Sequence, residues 1–375
     1  MVPAMSKTAP APANLPTIVA STHAYEAWLA GQIRLLPADL QAKHEAMADS
    51  VFPFLRATFY RWMQLYPVVC PAAAAAPKVL AVGDLHVENY GTWRDAEGRL
   101  VWGVNDFDEA YPLPYTVDLV RLATSALLAL EALRSGCTTN EACAAIVDGY
   151  ATGLAGVGDP FVLSERHPLL RDAVTSRARD PVAFWAKLGA LPSATRVPPA
   201  VKWLLQSALP EPDLRFRVAH RRAGLGSLGR ERFTALADWR GGKIARETKP
   251  LVPSAAVWAA GGADPQLYYS TILAGAVRAQ DPFLTVQAGW VRRRLSPYCS
   301  RIELAQLARG HDRLKMLRAM GCELANIHLG SRRALPALRR DLAARPGKWL
   351  RAAAEAMAEA TRQDWRAWRK SVTKT

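Results

Sequence analysis

No stretch of the 375 residues approaches the ~18 consecutive apolar residues that a membrane span requires. The longest Ala-rich run, residues 71–82, is broken by Pro77 and Lys78. Residues 1–16 are rich in Pro and Ala but lack a basic segment ahead of an unbroken apolar one, so they do not read as a secretory leader. Cysteine is sparse: Cys70, Cys137, Cys143, Cys299 and Cys322 form no CxxC pair, an odd, scattered set that argues for reduced thiols rather than a disulfide framework. These absences lead to the expectation of a cytoplasmic chain with no membrane partner. Negative charge is the minority, with 33 Asp and Glu against 48 Lys and Arg, and the resulting +15 attracts anionic partners without naming one. At 50% hydrophobic and 22% charged residues, the composition excludes collagen-like and wholly disordered chains.

Apolar residues at helical spacing over 25–66 predict packed helices ahead of the informative region. Residues 78–82 and 100–104 are short apolar runs, each opening onto an acid, and read as buried strands. Helices are predicted over 118–133 and 141–154, with weaker ones up to about 209. Strands are expected over 215–220, 232–239 and 243–249, the first two separated by a glycine-rich turn and the last two by Arg240-Gly241-Gly242. A helix within 267–279, strands near 283–287 and 290–295, a helix over 304–329 and a basic amphipathic helix over 349–368 complete the reading. No internal repeat is present.

The chemistry concentrates in Gly83-Asp84-Leu85-His86-Val87-Glu88-Asn89 and Asn105-Asp106-Phe107-Asp108-Glu109. Phosphoryl transfer needs an acid to receive or orient a hydroxyl, and an amide with a second acid to hold Mg²⁺ against nucleotide phosphates. Asp84-Leu85 to Asn89 fits the Asp-Leu-x-x-x-Asn catalytic-loop pattern of kinases, and Asp106-Phe107 follows a strand, where the metal-binding acid belongs. In loops, Asp and Asn are also ordinary turn formers. It is the pair of motifs, both at strand ends, that carries the reading.

These residues resemble those of aminoglycoside-phosphotransferase-like kinases, which carry a Gly-Asp-x-His-x-x-Asn loop, an acid about twenty residues later and a third Asp opening a helix; Asp118 lies twelve residues after Asp106. The resemblance implies Asp84 as catalytic base with His86 fixing the catalytic loop, Asn89 and Asp106 as metal ligands assisted by Asp108, and Asp118 as an acid tying the loop down. Val82 stands where that pattern usually has His. Asp84-x-His86 after a strand also resembles the first metal motif of calcineurin-like metallophosphoesterases, but the Gly-Asn-His motif that such a two-metal centre needs does not follow.

Gly224-Leu225-Gly226-Ser227-Leu228-Gly229 is a GxGxxG, a pattern shared by dinucleotide folds, kinases and plain turns. A dinucleotide loop runs from strand to helix, whereas here strands are expected on both sides. A kinase loop runs strand to strand and precedes a strand carrying a phosphate-binding lysine, a position that Lys249 matches. Gly224, Gly226, Ser227, Gly229 and Lys249 are therefore the candidate nucleotide-binding residues, the alternative being an exposed hairpin with a surface lysine. No glutamate partner for Lys249 is evident: the predicted helix 267–279 holds none, and Glu247 would share its face only in a regularly alternating strand.

The loop follows the catalytic acids instead of preceding them, which implies a circularly permuted order. That order resembles the bacterial family called domain of unknown function 2252, whose features match Phe54-Leu55-Arg56, residues 83–91, 105–109, 118–122 and 224–229, Lys249, and Ala325 to His328. The expectation is an α+β, two-lobed protein-kinase-like fold with a small antiparallel sheet lobe and a larger helical lobe. Its segments are a flexible tail over 1–24, N-terminal helices over 25–75, a large lobe over 76–210, a sheet lobe over 211–298 and returning helices over 299–375. The expected activity is ATP- and Mg²⁺-dependent transfer of a phosphoryl group to the hydroxyl of an unknown acceptor. Nucleotide binding without transfer and nucleotidyl transfer are the rivals. Nucleic-acid binding rests on net charge alone.

Overall fold

The chain's first helix, Ile18–Ala30, is opened by Thr17, whose hydroxyl accepts the Ala20 amide at 3.2 Å. Ile18, Ser21, Thr22, Tyr25 and Leu29 are buried along one face of it. The expected tail over 1–24 is therefore corrected from Ile18 onward: the helical apolar face begins earlier than Tyr25. The computed structural model describes residues 15–372 except 135, 176–179, 263, 300, 302 and 308, so most of that tail lies outside the described residues.

Helices Pro37–Asp49, Val51–Ala57 and Phe59–Val69 follow, as the apolar spacing predicts. They close against the last helix, Trp349–Val372, which buries Leu350, Ala354, Met357, Ala358, Thr361 and Trp368. Arg61 donates to Asp364 at 2.6 Å and the Trp368 indole to the His44 carbonyl at 3.2 Å. The basic face of this helix is thus the outside of a packed element.

In chain order the strands are β1 (Lys78–Ala81), β2 (Tyr90–Arg94), β3 (Leu100–Val104), β4 (Tyr111–Pro114), β5 (Phe161–Val162), β6 (Arg217–His220), β7 (Phe233–Trp239), β8 (Gly242–Pro250), β9 (Thr285–Gln287) and β10 (Trp290–Leu295). They form an antiparallel pair β1-β4, a three-stranded sheet β2-β3-β5 and a five-stranded antiparallel sheet in the order β6-β7-β8-β10-β9. β2, β4 and β5 are not foreseen by the sequence reading. β4 reads Tyr-Pro-Leu-Pro, which β-propensity argues against, yet prolines are tolerated in a strand paired on one side only.

The β7-β8 hairpin turns through Arg240 (φ 45°) and Gly241 (φ 81°), with Trp239 paired to Gly242; two positive φ values in a two-residue loop match the right-handed twist of the strands. The five-stranded sheet has small apolar clusters of its own. Val201 and Leu205 of helix Pro199–Gln206 meet Phe233 and Ala235, and Leu188 of helix Pro181–Gly189 meets Ala245 and Leu295. The main core is larger, joining the N-terminal helices, β1 to β5, helix Tyr115–Ala132, helix Thr139–Ala155 and helix Gly310–His328, and it takes in Val291 of β10. The helix expected over 304–329 begins at Gly310, with a short 3₁₀ turn at Leu304–Gln306 before it. Among the described residues, no helix is long and apolar enough to cross a membrane.

Candidate functional site

β1 ends at Ala81, and the chain turns at Gly83, where φ is +83° and a Cβ would run into the Glu109 carbonyl oxygen. Only glycine fits both demands. The turn is held by Asp118, wholly buried on helix Tyr115–Ala132, whose carboxylate accepts the amides of Val82 at 2.7 Å and Gly83 at 2.8 Å. His328 donates to the same carboxylate from Nε2 at 3.0 Å, which leaves its Nδ1 to accept from the Tyr150 hydroxyl at 2.7 Å. Helix Gly310–His328, remote in sequence, thereby helps anchor the 82–89 loop.

Within that loop, Asp84 is gripped through Oδ1 by Arg121, whose Nε donates at 2.7 Å and whose second nitrogen donates to the same oxygen. Arg121 is itself buried between the rings of Phe59 and Trp62 and donates to the Leu55 carbonyl at 2.9 Å. Burial raises the Asp84 carboxyl above its usual range even though Arg121 pulls the other way. His86 accepts the Glu88 amide on Nδ1 at 3.2 Å; burial and the nearby Arg56 hold its pKa well below the usual value, so it is a neutral ring that shapes the loop. Asn89 donates its amide to the carbonyls of Asp84 at 3.2 Å and Asp106 at 3.1 Å, stapling the two acidic loops together.

The second acidic loop leaves β3, pairing Asn105 to the Asn89 carbonyl at 3.1 Å. Lys249, on β8 and only 4% exposed in its side chain, lies 2.9 Å from Asp106 Oδ2 and 2.6 Å from Asp108 Oδ2. Burial opposes ionisation of Asp106, but the Lys249 charge wins and holds it well below the carboxylate range; Asp108 is pushed up by burial and by the Asp106 charge. Asp108 Oδ1 is buried without a hydrogen-bond partner. Asp106 and Asp108 are thus the acids facing Lys249. Glu247, two residues before it on β8, is taken up by Arg232 at 2.6 Å, Arg221 at 2.6 Å and Arg293 at 2.8 Å.

Between β6 and β7 the glycine-rich segment makes a 3₁₀ turn over Leu225–Ser227, flanked by Gly224 (φ +76°) and Gly229 (φ +94°). It runs strand to strand. A Cβ on Gly226 would lie 3.1 Å from the Arg56 carbonyl and 3.6 Å from Asp84 Oδ2, so this loop rests directly over the first acidic loop. Ser227 accepts from Arg232 at 2.8 Å. Asp84, His86, Asn89, Asp106, Asp108, Gly224, Gly226 and Ser227 all line one cavity of about 390 Å³.

Arg121, Arg230 and Lys43 are participants that sequence reasoning did not single out. Arg121 falls inside the Asp-Leu-x-Arg-Leu stretch 118–122, so a signal existed, but its aim toward Asp84 depends on helix packing. Arg230 follows Gly229 directly and stands 3.8 Å from both Asp108 and Glu109.

A family model described as "Uncharacterized protein conserved in bacteria (DUF2252)" matches residues 34–175. The match supports that family. It contains Asp84, His86, Asn89, Asp106, Asp108 and Asp118, whereas the glycine loop and Lys249 lie beyond it. No curated protein and no solved structure matches the chain.

Proposed function

We propose that this chain is a kinase-like phosphotransferase of circularly permuted order, binding a nucleoside triphosphate between the five-stranded sheet and the helical body and passing its terminal phosphoryl group to a hydroxyl. One observation carries the reading: Lys249, behind the cavity lining, meets Asp106 at 2.9 Å across 143 positions of chain, and Asp106 lines the cavity in which the glycine loop covers Asp84. A cation beside a metal-type acid, a glycine loop and a buried carboxylate are the parts that phosphoryl transfer requires. The separate apolar clusters of the five-stranded sheet support a two-lobed description.

In this reading Asp84 orients the acceptor hydroxyl and takes its proton at Oδ2, since Oδ1 is committed to Arg121. Arg121 and Asp118 fix where that carboxylate points. Lys249 pairs with phosphate oxygens, and the loop from Gly224 to Gly229 offers backbone amides to them. Among the described residues, no group of three or more His, Cys, Asp or Glu side chains is arranged to hold a metal ion. The donor set nonetheless suits Mg²⁺, which takes one or two carboxylates together with substrate phosphates. Asp106 is 36% exposed toward the cavity, Asp108 Oδ1 is an orphaned buried acceptor, and the Asn89 amide oxygen accepts no hydrogen bond among the described residues. Those three would hold the ion, which when bound neutralises charge developing on the phosphates.

The rival, nucleotide binding without transfer, is favoured by the lack of a glutamate beside Lys249. Two measurements decide. Calorimetry with Mg·ADP should show binding to the wild type and at least about tenfold weaker binding to Asp106→Asn, measured at a temperature where the variant is fully folded because it loses the Lys249 pair; wild-type affinity in the folded variant contradicts the assignment. In incubations with γ- or α-labelled ATP, release or transfer of the γ label alone supports the phosphotransferase. Transfer of the α label means nucleotidyl transfer, and binding with neither means the rival.

A further inference from the structure

Lys43, on helix Pro37–Asp49, belongs to none of the motifs used above. It is 2% exposed and lines the same cavity. Its ammonium stands 5.8 Å from the Tyr60 ring centroid and makes no hydrogen bond or ion pair with the described residues. A buried cation without a partner costs several kcal/mol, and burial accordingly holds this amine down to about 8. The acid that acts on it most strongly, Glu26, is already 2.7 Å from His44 Nε2. Arg230, 5% exposed, lines the same cavity; it donates to the Tyr25 hydroxyl at 3.4 Å and stands 3.8 Å from Asp108 and Glu109, while its Nε is buried without any partner.

A buried ammonium with no acid partner, and a guanidinium with one donor still unspent, at one cavity call for an anion. The charged groups felt by Lys43 are Glu26, Arg230, Glu109 and Asp84, whereas Lys249 is matched by Asp106 and Asp108. Lys43 therefore belongs to the Asp84 side of the cavity, with Arg230 reaching from there to Asp108 and Glu109. Guanidinium and ammonium together suit a tetrahedral dianion with several acceptor oxygens better than a single carboxylate.

We propose that Lys43 and Arg230 form a phosphate-receiving subsite next to Asp84, and that the acceptor is a phosphate-bearing small molecule. The word acceptor rests on the phosphotransferase reading; the anion subsite does not. Melting curves of the full chain test it, with inorganic phosphate against potassium chloride at matched ionic strength, for the wild type and Lys43→Met, each with and without Mg·ADP. Phosphate should raise the wild-type melting temperature by about 4 °C at a hundredfold excess over Kd. Lys43→Met should lose that shift yet melt no lower than the wild type, because an unpartnered buried charge has been replaced by an apolar chain of similar length.

No phosphate shift in the wild type, an equal shift in Lys43→Met, or a variant that melts clearly lower without ligand overturns the subsite. So does a wild-type phosphate shift abolished by Mg·ADP, which would put the phosphate among the nucleotide groups. Phosphate protection confined to the wild type, with no response to Mg·ADP in either protein, removes the nucleotide reading and leaves the subsite standing.

Discussion

Asp118→Asn isolates the device that holds the catalytic-type loop. The wild-type carboxylate is wholly buried and accepts three hydrogen bonds, from Val82, Gly83 and His328. An asparagine keeps one acceptor oxygen and puts an NH₂ group where the other accepted, so a donor faces donors. One charge-assisted hydrogen bond is lost, worth about 1.5–3 kcal/mol, and a buried N–H is left unsatisfied at about 1–3 kcal/mol. The expected loss is about 3–5 kcal/mol, a large share of the ~5–15 kcal/mol that holds a folded chain together. Urea unfolding reads the total through the shift in midpoint. Hydrogen exchange locates it: with the retained oxygen serving Val82 and His328, protection should fall first at the Gly83 amide, which loses its acceptor. A loss below about 1 kcal/mol, or unchanged protection at the Gly83 amide, would refute the claim that Asp118 anchors the turn.

Two further expectations concern charge. Lys249→Met leaves Asp106 and Asp108 facing each other without their cation and should cost about 3 kcal/mol near pH 8, at the low end for a broken buried pair because Asp106 is 36% exposed. In the wild type, Asp106 is held low and adds stability above the carboxylate range that fades as pH falls. In the variant one of the two acids favours its protonated form, so part of the loss should be recovered on acidification toward pH 5 in urea titrations, and a pH-independent deficit contradicts the pairing. Glu323 is buried over Gly103 and pushed up to about 7 by burial, although Arg278, Asn326 and the Val104 amide pull it down. The folded protein therefore keeps a proton that the unfolded chain has lost between pH ~4.5 and ~7, and stability declines by about 3 kcal/mol across that window. Glu323→Gln should flatten the decline in urea midpoints measured from pH 5 to 8, and parallel curves for variant and wild type would show that the carboxyl is not perturbed.

Local signals in the chain identified the α+β class and most of its elements. The boundaries of β3 and β10 were readable because a short apolar run between turn formers has few other uses, and the strands around the glycine loop were readable from the Gly-Gly turn that joins β7 to β8. β2, β4 and β5 were not. β2 starts immediately after Asn89 and hides behind the motif, β4 carries two prolines, and β5 spans two residues; each exists because a neighbouring strand offers it hydrogen bonds.

Which acids and cations face one another is a different matter. Residue type and spacing marked Asp84, Asn89, Asp106 and Lys249, because loop motifs are local. Glu247 and Lys249 sit two residues apart on one strand, yet the lysine meets Asp106 and Asp108 while the glutamate is absorbed by Arg221, Arg232 and Arg293. The guanidinium of Arg121 reaches Asp84 only because helix Tyr115–Ala132 packs beneath the loop, and Lys43 lost its solvent only because the N-terminal helices close one wall of the cavity. Covalent neighbours set what a residue can do. Burial and long-range pairing, which depend on the energy of the whole packed chain, decide which charge is neutralised and which, like that of Lys43, meets no acid among the described residues.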